Sequence, residues 1–517
     1  MNKKIDALPK LLRIPRWLSH KSYQTTDGQH RTIISNHLTH ELITLDDESS
    51  QVWHKTASAK CIADVVNQSE QYGLEKQEVI GFLDDLRSES LIEIDYGISN
   101  TVDDISLLPN RTILENHNEV AGTESVEIEA EFKDWAISHG FLYSANIEVT
   151  YRCNERCIHC YNPGAAHSPE ERPNRNLDEL TTKDYFHLID ELDELGVFRL
   201  VFTGGELFVR RDAFEILRYA RSKSISISVL TNGLLLSPPK VEVLASLYPE
   251  MVSVSIYSAN PRLHDEVTCV PGSWQKSIDA LKALSSKGIK TMIKCPLMNN
   301  TVKGYVLVRD LAKQIGARYG FDPIITATND GKTSTVDLNV DSYKELVVLS
   351  MMDDSPTYVG SQETGWRKRK FESGQPICGV GDAISITPTG GLQPCIAVPQ
   401  PIVSVNTQGA LTSAWMDRNN NAASTSHDPN RLLRLADWRA FTHLDTEECG
   451  RHDRCEWCLC CIGASLSECG DARKPSETQC RVAAARMDAA DKVSKGSDFE
   501  SVCRQYGFPT DYGSIYE

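Results

Sequence analysis

Three cysteines lie close together in the segment Cys153-Asn-Glu-Arg-Cys157-Ile-His-Cys160, which follows directly on a predicted strand. Thiolates with this CX3CX2C spacing can hold three irons of a [4Fe–4S] cluster, which in proteins otherwise takes four cysteine ligands. The fourth iron then keeps a vacant position that can chelate a small molecule. The alternative is a zinc knuckle, in which His159 inside the motif supplies a further ligand.

A second group of cysteines lies in the last third of the chain, and seven of them fall between residues 449 and 480. The chain has 16 cysteines, and reducing compartments keep thiols reduced, so this clustering indicates metal or iron–sulfur ligation rather than disulfides. A zinc ribbon is the alternative, because CX2C blocks also bind Zn²⁺. Four isolated cysteines are expected to be ordinary residues: Cys61, Cys269, Cys295 and Cys503.

Composition limits the classes of function. The 54 basic and 71 acidic residues give a net charge of −17, which argues against general nucleic-acid binding, since that needs a basic face. No run of 18 or more apolar residues occurs, so we expect no membrane span. The basic N-terminal segment has no continuous apolar stretch and makes a poor signal peptide, which predicts a cytoplasmic protein.

The elements that must position the first cysteines form an alternating pattern of strands and helices. Six strands are predicted, at 144–149, 200–203, 226–231, 251–257, 290–296 and 319–325, with helices at 183–195, 211–223 and 274–287. This α/β pattern predicts a partial (β/α)6 barrel of the TIM type with parallel strands. Beyond about residue 376 the alternation is lost and cysteine, glycine and polar turns dominate.

The first hundred residues predict a separate winged-helix-like domain. It contains two short strands within 31–46, helices at 48–56, 57–72 and 74–88, and a closing strand at 91–94. A polar, acidic stretch follows and reads as a solvated linker. The predicted boundaries are 1–100 for this domain, 101–138 for the linker, 139–340 for the barrel, 341–375 for a bridging region, 376–484 for the cysteine-rich domain and 485–517 for a tail.

The CX3CX2C segment resembles the signature of the radical S-adenosylmethionine (SAM) superfamily, in which an aromatic residue, here Tyr161, follows the third cysteine. The resemblance implies that the open iron binds the amino and carboxylate groups of SAM, with Tyr161 among the cofactor contacts. It also implies that reduction of the cluster releases a 5′-deoxyadenosyl radical, which abstracts hydrogen from the substrate.

Residues at the next strand end are similar to a second motif of that family. Gly204, Gly205 and Glu206 resemble its GGE motif, in which the glycines let the backbone approach the methionine amino group of SAM and the glutamate accepts from it. Alone, Gly-Gly-Glu would be a common turn. Its place at a strand end after the cysteines is what supports the resemblance.

The resemblance also assigns SAM contacts on the following strands. Thr231, Asn232 and Ser255 would face the ribose and the methionine carboxylate. Lys294 would pair with that carboxylate, or else is an inward strand lysine neutralised by a barrel carboxylate. Tyr257 stands where many peptide-modifying relatives carry an acidic residue, so that role does not carry over.

The later cysteines resemble a SPASM domain, the extension that carries auxiliary [4Fe–4S] clusters. Its opening corresponds to CX11GX4C, but the expected CX2CX5CX3C block is compressed here. The resemblance implies two auxiliary clusters. The inner one would be held by Cys378, Cys395 and Cys469, and the outer one by Cys455, Cys458, Cys461 and Cys480. Two cysteines remain as candidates for a last position or as free thiols: Cys449 and Cys460.

The N-terminal domain has an acidic turn at 46–48 before a helix with Trp53, a second helix, the sequence FLDDL at 82–86 and a closing apolar strand. This order resembles PqqD-like leader-recognition domains, which bind an extended leader peptide by strand addition beside a helix. The edge near Arg31–Ile34 is expected to receive it. The alternative is a plain winged helix that holds the barrel or a dimer partner.

The resemblance implies a ribosomally made precursor peptide as substrate and a cross-link in its core, C–C of the cyclophane type or thioether. It also implies an external electron donor such as flavodoxin or ferredoxin. The alternatives are a maturase that oxidises or cross-links a folded protein, as sulfatase-maturing or amine-dehydrogenase-maturing relatives do, and a non-catalytic iron–sulfur electron carrier.

Overall fold

The computed structural model describes residues 11–70, 73–95, 123–162, 179–351, 376–419 and 434–508. They divide into two compact units. One comprises the described part of Met1–Phe141 with Gly196–Phe198 and Ala220–Ser226, and the other comprises Leu142–Leu195, Arg199–Tyr219 and the described residues from Ile227 onward. Much of the predicted linker and of the predicted bridging region lies outside the described residues.

The first unit contains a three-stranded antiparallel sheet in the order β2-β3-β4 and a small pair, β1 with β5. Its strands are β1 (Leu11–Arg13), β2 (Leu18–Gln24), β3 (His30–Asn36), β4 (Glu41–Asp46) and β5 (Glu93–Asp95), and its helices are α1 (Asp47–Ser58), α2 (Ile62–Glu70), α3 (Lys76–Ser88) and α4 (Thr123–Ser138). The helices α1 to α3 bury Trp53, Val65 and Leu83 in one apolar core with Ile34. The strands within 31–46 and the three helices that follow are close to the predicted ones.

The predicted peptide-binding edge is wrong. Arg31–Ile34 lies on β3, which pairs with β2 on one side and with β4 on the other. The sequence pattern of β2, with His20, Lys21 and Ser22, is too polar to have been predicted as a strand. Because β3 is the middle strand, the outer edges of this sheet belong to β2 and β4, and that of β2 is hydrogen-bonded, with His20 N donating to Ser224 O.

The second half of the predicted linker is helical. Helix α4 packs beside β4 and buries Phe132 and Ala136, which are four residues apart and therefore lie on one face. The guanidinium of Arg31 lies 5.3 Å from the ring centre of Phe132 and 5.1 Å from that of Trp135. Because the segment is rich in acidic residues, the sequence pattern did not predict the buried pair of Phe132 and Ala136.

The second unit is built on a nine-stranded sheet in the order β11-β10-β9-β8-β7-β6-β12-β13-β14. The six predicted barrel strands are present as β6 (Ser144–Glu148), β7 (Arg199–Thr203), β8 (Ser226–Thr231), β9 (Met251–Ser255), β10 (Thr291–Pro296) and β11 (Arg318–Asp322). The helices between them are α5 (Thr182–Glu194), α6 (Ala213–Ser222), α7 (Pro238–Ala245), α8 (Pro261–Thr268), α9 (Ser273–Ser286) and α10 (Tyr305–Ile315). This confirms the partial (β/α)6 barrel.

The C-terminal region adds strands to the same sheet. Its elements are α11 (Tyr343–Met351), β12 (Ile384–Ile386), β13 (Gly391–Gln393), β14 (Val403–Ser404), α12 (Ala410–Met416), α13 (Leu435–Arg439), α14 (Ile462–Cys469), α15 (Glu477–Ser494) and α16 (Phe499–Tyr506). Strand β12 pairs in parallel with β6, with Ser385 opposite Asn146, and β13 and β14 continue antiparallel. The sequence pattern did not predict this extension, because β12 has only three residues. In the described ranges we find no helix that has the length and apolar character needed to cross a membrane.

Candidate metal centres

The first cysteine loop follows β6 at the carboxyl end of the barrel strands. Two backbone hydrogen bonds anchor its middle to the end of α8: Arg156 N donates to Thr268 O at 3.0 Å, and Ile158 N donates to Val267 O at 3.0 Å. Within the loop, Cys160 N donates to Cys157 O at 3.1 Å. The loop therefore has a fixed course that brings its three cysteines to one end of the barrel.

Burial disfavours the charged form of the three cysteines in this loop. The pKa of Cys153 is raised to about 12, mainly by burial and in part by the negative charges of Glu206, Glu155 and Cys160. Burial also raises the pKa of Cys157 and of Cys160, and the other two thiols of the motif add to the effect on Cys157. Deprotonated ligands at this position require a cation, which an iron–sulfur cluster supplies. The chemistry of the donor set fits such a group.

The Gly204-Gly205-Glu206 turn packs directly on the chain that leads into the cysteine loop. Gly205 N donates to Thr150 O at 2.7 Å, and Glu206 N donates to Arg152 O at 2.9 Å. A Cβ on Gly204 would lie 2.4 Å from Thr150 O, and a Cβ on Gly205 would lie 2.4 Å from Arg152 O. Both glycines are therefore needed for contact with the protein's own backbone, a reason that the family resemblance did not include.

Glu206 joins the ends of β7 and β8. Its buried carboxylate accepts from the Thr231 hydroxyl at 2.9 Å, from Asn232 N at 2.8 Å and from Phe208 N at 3.0 Å. Burial raises the pKa of Glu206, and these hydrogen bonds oppose the increase. The side-chain amide of Asn232 in turn donates to Asn154 Oδ1 at 2.8 Å and lies 3.8 Å from Cys153 Sγ. Three of the predicted SAM contacts are thus connected to the cysteine loop.

Ser255 and Lys294 lie opposite each other in the pairing of β9 with β10. Burial lowers the pKa of Lys294, and the carboxylate of Asp322 partly opposes this. Among the described residues no carboxylate oxygen comes within 4.0 Å of the Lys294 ammonium, but Asp322 on the neighbouring strand acts on its charge, so both interpretations of Lys294 stay predictions. Ser255 lies two residues before Tyr257, and its hydroxyl acts on the pKa of that phenol.

Two residues near the loop were not predicted as part of the site. The Tyr161 hydroxyl donates to Glu148 Oε1 at 3.4 Å, and burial raises the pKa of Glu148, which is 1% exposed, to about 7. The position of Glu148 within the otherwise apolar strand β6 could have indicated a functional residue from the sequence. The buried Tyr257 places its hydroxyl 3.6 Å from Cys157 Sγ, and the centres of its ring and that of His159 are 4.7 Å apart.

The C-terminal cysteines fall into two groups. Burial and the neighbouring thiols of Cys458, Cys455 and Cys480 raise the pKa of Cys449 to about 11. Burial raises the pKa of Cys461 to about 11, and the neighbouring thiols of Cys395 and Cys378 contribute to this increase. The first group therefore consists of Cys449, Cys455, Cys458 and Cys480. The second consists of Cys378, Cys395 and Cys461.

This grouping differs from the one that the family resemblance implies. Cys461 lies near Cys395 and Cys378, and Cys449, a candidate for a last position, lies near Cys455, Cys458 and Cys480. Cys469 is exposed, its Sγ lies 3.6 Å from Pro475 O, and its charged neighbours are Glu468, Lys474 and Asp471 rather than other cysteines. Which of these thiols hold a cluster stays a prediction that single variants test.

Cys460 is buried in an apolar cluster with Trp438 and Phe441, and its backbone N donates to Cys458 Sγ at 3.3 Å. A small cavity of about 20 Å³ is lined by several residues that include Cys449, Cys458, Cys460 and Cys480. In the described ranges no group of three or more Cys, His, Asp or Glu side chains is placed to hold a single metal ion.

Comparison with known proteins was made on sequence and on structure. Residues 147–306 match the family described as the Radical SAM superfamily. The chain is 32% identical over 170 residues to the AdoMet-dependent heme synthase of Methanosarcina barkeri, which is 33% of this chain and 47% of that protein. It is 27% identical over 276 residues to the antilisterial bacteriocin subtilosin biosynthesis protein AlbA of Bacillus subtilis, 50% of this chain and 55% of that protein.

The chain therefore spans about half the length of the curated relatives it matches. Among solved structures, Streptococcus suis SuiB bound to its precursor peptide SuiA superposes with a TM-score of 0.54 at 18% identity, covering 91% of this chain and 100% of that chain. At this identity the likeness concerns the fold.

Proposed function

We propose, from the premise that residues 147–306 form a radical SAM domain, that this chain installs a cross-link in the core of a ribosomally made precursor peptide. The observation that carries the proposal is the three-cysteine loop held by the glycine turn and by Asn232. The relatives add support: AlbA acts in subtilosin biosynthesis, and others are the mycofactocin maturase and the PqqA peptide cyclase.

The residues of the site have separate tasks in this proposal. Cys153, Cys157 and Cys160 would hold a [4Fe–4S] cluster, and the two C-terminal groups would hold auxiliary ones. When bound, the first cluster and SAM supply a 5′-deoxyadenosyl radical, and the auxiliary clusters supply an electron acceptor. The protein's own part is to fix the thiols through the hydrogen bonds of Glu206 and Asn232 and to keep water from this end of the barrel.

A cross-link removes one hydrogen from each of the joined groups. One would leave as a hydrogen atom to the 5′-deoxyadenosyl radical, which becomes 5′-deoxyadenosine, and the other as a proton to solvent and an electron to an auxiliary cluster. The experiment follows both. Reconstituted protein, SAM, a reductant and the peptide from a small open reading frame beside the gene should give 5′-deoxyadenosine and a peptide lighter by a pair of hydrogen atoms. Deuterium in the peptide core should appear in 5′-deoxyadenosine.

The alternatives give other results in the same assay. A carrier would release no 5′-deoxyadenosine above a control without SAM. A maturase of folded proteins would cleave SAM but leave the peptide unchanged. Between C–C and thioether products, fragmentation of the modified peptide decides, because a thioether requires a cysteine at one end of the link.

We further propose that the leader docks on the outer edge of β4 in the first unit. Besides its ladder with β3, no backbone hydrogen bond involves Glu41–Asp46 among the described residues, so this edge can accept an added strand. Helix α4 packs beside the same strand. A peptide that adds as a strand beside a helix needs both an open strand edge and a helix next to that strand.

Ile43→Pro and Thr44→Pro test this edge. Successive N–H groups of a strand point to opposite edges. His20 donates its N–H away from β3, to Ser224 O, so its partner Ile34 faces β4. Ile43 lies opposite Ile34 and therefore directs its N–H to β3. Thr44→Pro removes an outward N–H and should weaken binding of a fluorescent leader about tenfold, ~1.4 kcal/mol, with unfolding little changed. Ile43→Pro breaks the ladder with β3 and should lower stability instead. Leader affinity that neither proline changes would contradict docking at β4.

A further inference from the structure

The hydroxyl of Tyr257 faces a cysteine of the first loop. It lies 3.6 Å from Cys157 Sγ, within the range for a hydrogen bond to sulfur. Tyr257 is 6% exposed and packs with Val267 and Met298, so its ring has little freedom to turn away. The phenol is therefore aimed at this sulfur by its surroundings.

Ser255, at the end of β9, is a second polar side chain beside the phenol, and its hydroxyl opposes the increase that burial causes in the pKa of Tyr257. Tyr257 N donates to Nδ1 of the buried His264 at 3.2 Å, which fixes the backbone from which the ring projects. When Ser255 donates to the phenol oxygen, the phenol becomes a better donor to the next acceptor in the chain.

The chemistry of the sulfur decides which group donates in the hydrogen bond between the Tyr257 hydroxyl and Cys157 Sγ. A thiol at Cys157 can donate, and Glu155 Oε2 lies 3.4 Å from its Sγ. A cysteine that ligates iron has lost its proton, so its sulfur can only accept, and the phenol must then donate. Hydrogen bonds to cluster sulfurs stabilise the more negative, reduced cluster and raise its reduction potential.

Resting on the proposed function, we propose that Tyr257, held by Ser255, is a positioning residue that donates a hydrogen bond to Cys157 Sγ and raises the reduction potential of the cluster on that loop. A phenol donates to a thiolate, whereas a carboxylate would repel it. Cys153 Sγ accepts instead from nitrogen donors, Glu155 N at 3.4 Å and the side-chain amide of Asn232 at 3.8 Å.

The experiment is a potentiometric titration of the full-length reconstituted protein followed by electron paramagnetic resonance. The signal that changes on addition of SAM belongs to the cluster with the open iron, which separates it from auxiliary clusters. In Tyr257→Phe, which keeps the ring contacts, the ratio of reduced to oxidised cluster at a given potential should fall about tenfold, a negative shift of ~59 mV. Ser255→Ala should shift the potential in the same direction by less.

Tyr185→Phe is the matched control. This buried tyrosine of the same unit donates to Val149 O at 3.2 Å and not to a cysteine, so its loss should leave the potential unchanged. A second readout is 5′-deoxyadenosine formation. The deficit of Tyr257→Phe should be large with a weak reductant and small with a strong one, which a packing defect would not produce.

The possible outcomes separate the two proposals. An unchanged or positive shift in Tyr257→Phe, or an equal shift in Tyr185→Phe, overturns the role of Tyr257 and leaves the radical SAM function standing. A wild type without a SAM-sensitive signal overturns the proposed function, and this inference with it. If Tyr257→Phe fails to take up iron, Ser255→Ala decides, since an unchanged potential there contradicts the chain of hydrogen bonds.

Discussion

The chain carries clustered cysteines in two regions, and what positions the thiols differs between them. In the barrel, a single loop of eight residues carries all three cysteines, and its neighbours are a strand end, a glycine turn and the end of α8. In the C-terminal region, the cysteines are spread from 378 to 480 over short helices and turns. The assignment of the first three ligands therefore depends on one short loop, whereas the assignment in the C-terminal region depends on contacts between distant segments.

The two regions also differ in the number of thiols that meet. The barrel loop brings together three, and the C-terminal region has one group of four and one of three. A group of four can complete the ligation of a cubane, while a group of three leaves one iron for another ligand. The two regions should therefore differ in the iron they bind and in the chemistry of that iron, and single variants can test this difference.

The largest effect is expected at the barrel loop. Cys157→Ala should reduce SAM cleavage to the background of a reaction without protein, because the group that activates SAM needs all three thiols. About twelve irons per chain are expected in the wild type, and about eight should remain when Cys153, Cys157 and Cys160 are all replaced. Iron analysis and chromatography of 5′-deoxyadenosine measure both. Full cleavage in Cys157→Ala, or zinc in place of iron, would contradict the assignment.

The next effect separates the observed grouping of the C-terminal cysteines from the expected one. Cys449→Ala removes a member of the four-thiol group and should lower the iron content by up to about four per chain. The matched control is Cys469→Ala, which should keep the wild-type iron content because this cysteine is exposed and apart from the others. The reverse result would restore the grouping based on family resemblance.

A smaller effect concerns the buried carboxyl beside the barrel loop. The pKa of Glu148 is raised from 4.5 to about 7, so the protonated form favours the folded state below pH 4.5 and this advantage is lost as the pH rises to 7. Glu148→Gln stays neutral, and its stability relative to wild type should rise by about 3 kcal/mol across that window.

Urea unfolding of the cluster-free protein below and above the window measures this difference. The matched control is Glu215→Gln on the exposed face of α6, whose stability relative to wild type should change little with pH. A difference between wild type and Glu148→Gln that stays constant with pH would mean that Glu148 is not buried as a carboxyl.

The smallest effect tests the glycine turn. Gly205→Ala places a Cβ against Arg152 O and should lower the free energy of unfolding by about 2 kcal/mol. It should also disturb the barrel loop while leaving the two C-terminal groups intact. Gly81→Ala in α3, where no atom lies within 4 Å of the added Cβ, should instead raise stability by up to about 1 kcal/mol. A similar loss in both variants would remove the argument from close packing.

Prediction from the sequence succeeded where a local pattern decides the structure. The six barrel strands and three of the helices between them, α5, α6 and α9, follow from apolar runs bounded by turns. It failed where distant residues decide. Strand β2 is too polar to be recognised before its pairing with β3 is known, and β12 has three residues that only β6 makes into a strand. The buried pair of Phe132 and Ala136 was hidden by the acidic residues around it.

The same limits apply to the candidate site. The motif residues of the barrel are brought together as expected, but the contact of Tyr257 with Cys157 joins residues a hundred positions apart. Glu206 was expected to accept from SAM, whereas its oxygens already accept from Thr231, Asn232 and Phe208. Such contacts depend on which strand ends are neighbours, which periodicity alone does not give.

The pairing of β12 with β6 has a consequence for how the chain is made. While the ribosome is still adding the middle of the protein, β6 has emerged but its partner Ile384–Ile386 has not. During that interval one edge of β6 carries unpaired N–H and C=O groups, next to a reactive cysteine loop. We therefore expect nascent or truncated chains that stop before β12 to aggregate, and iron insertion at the barrel loop to follow release of the C-terminal region.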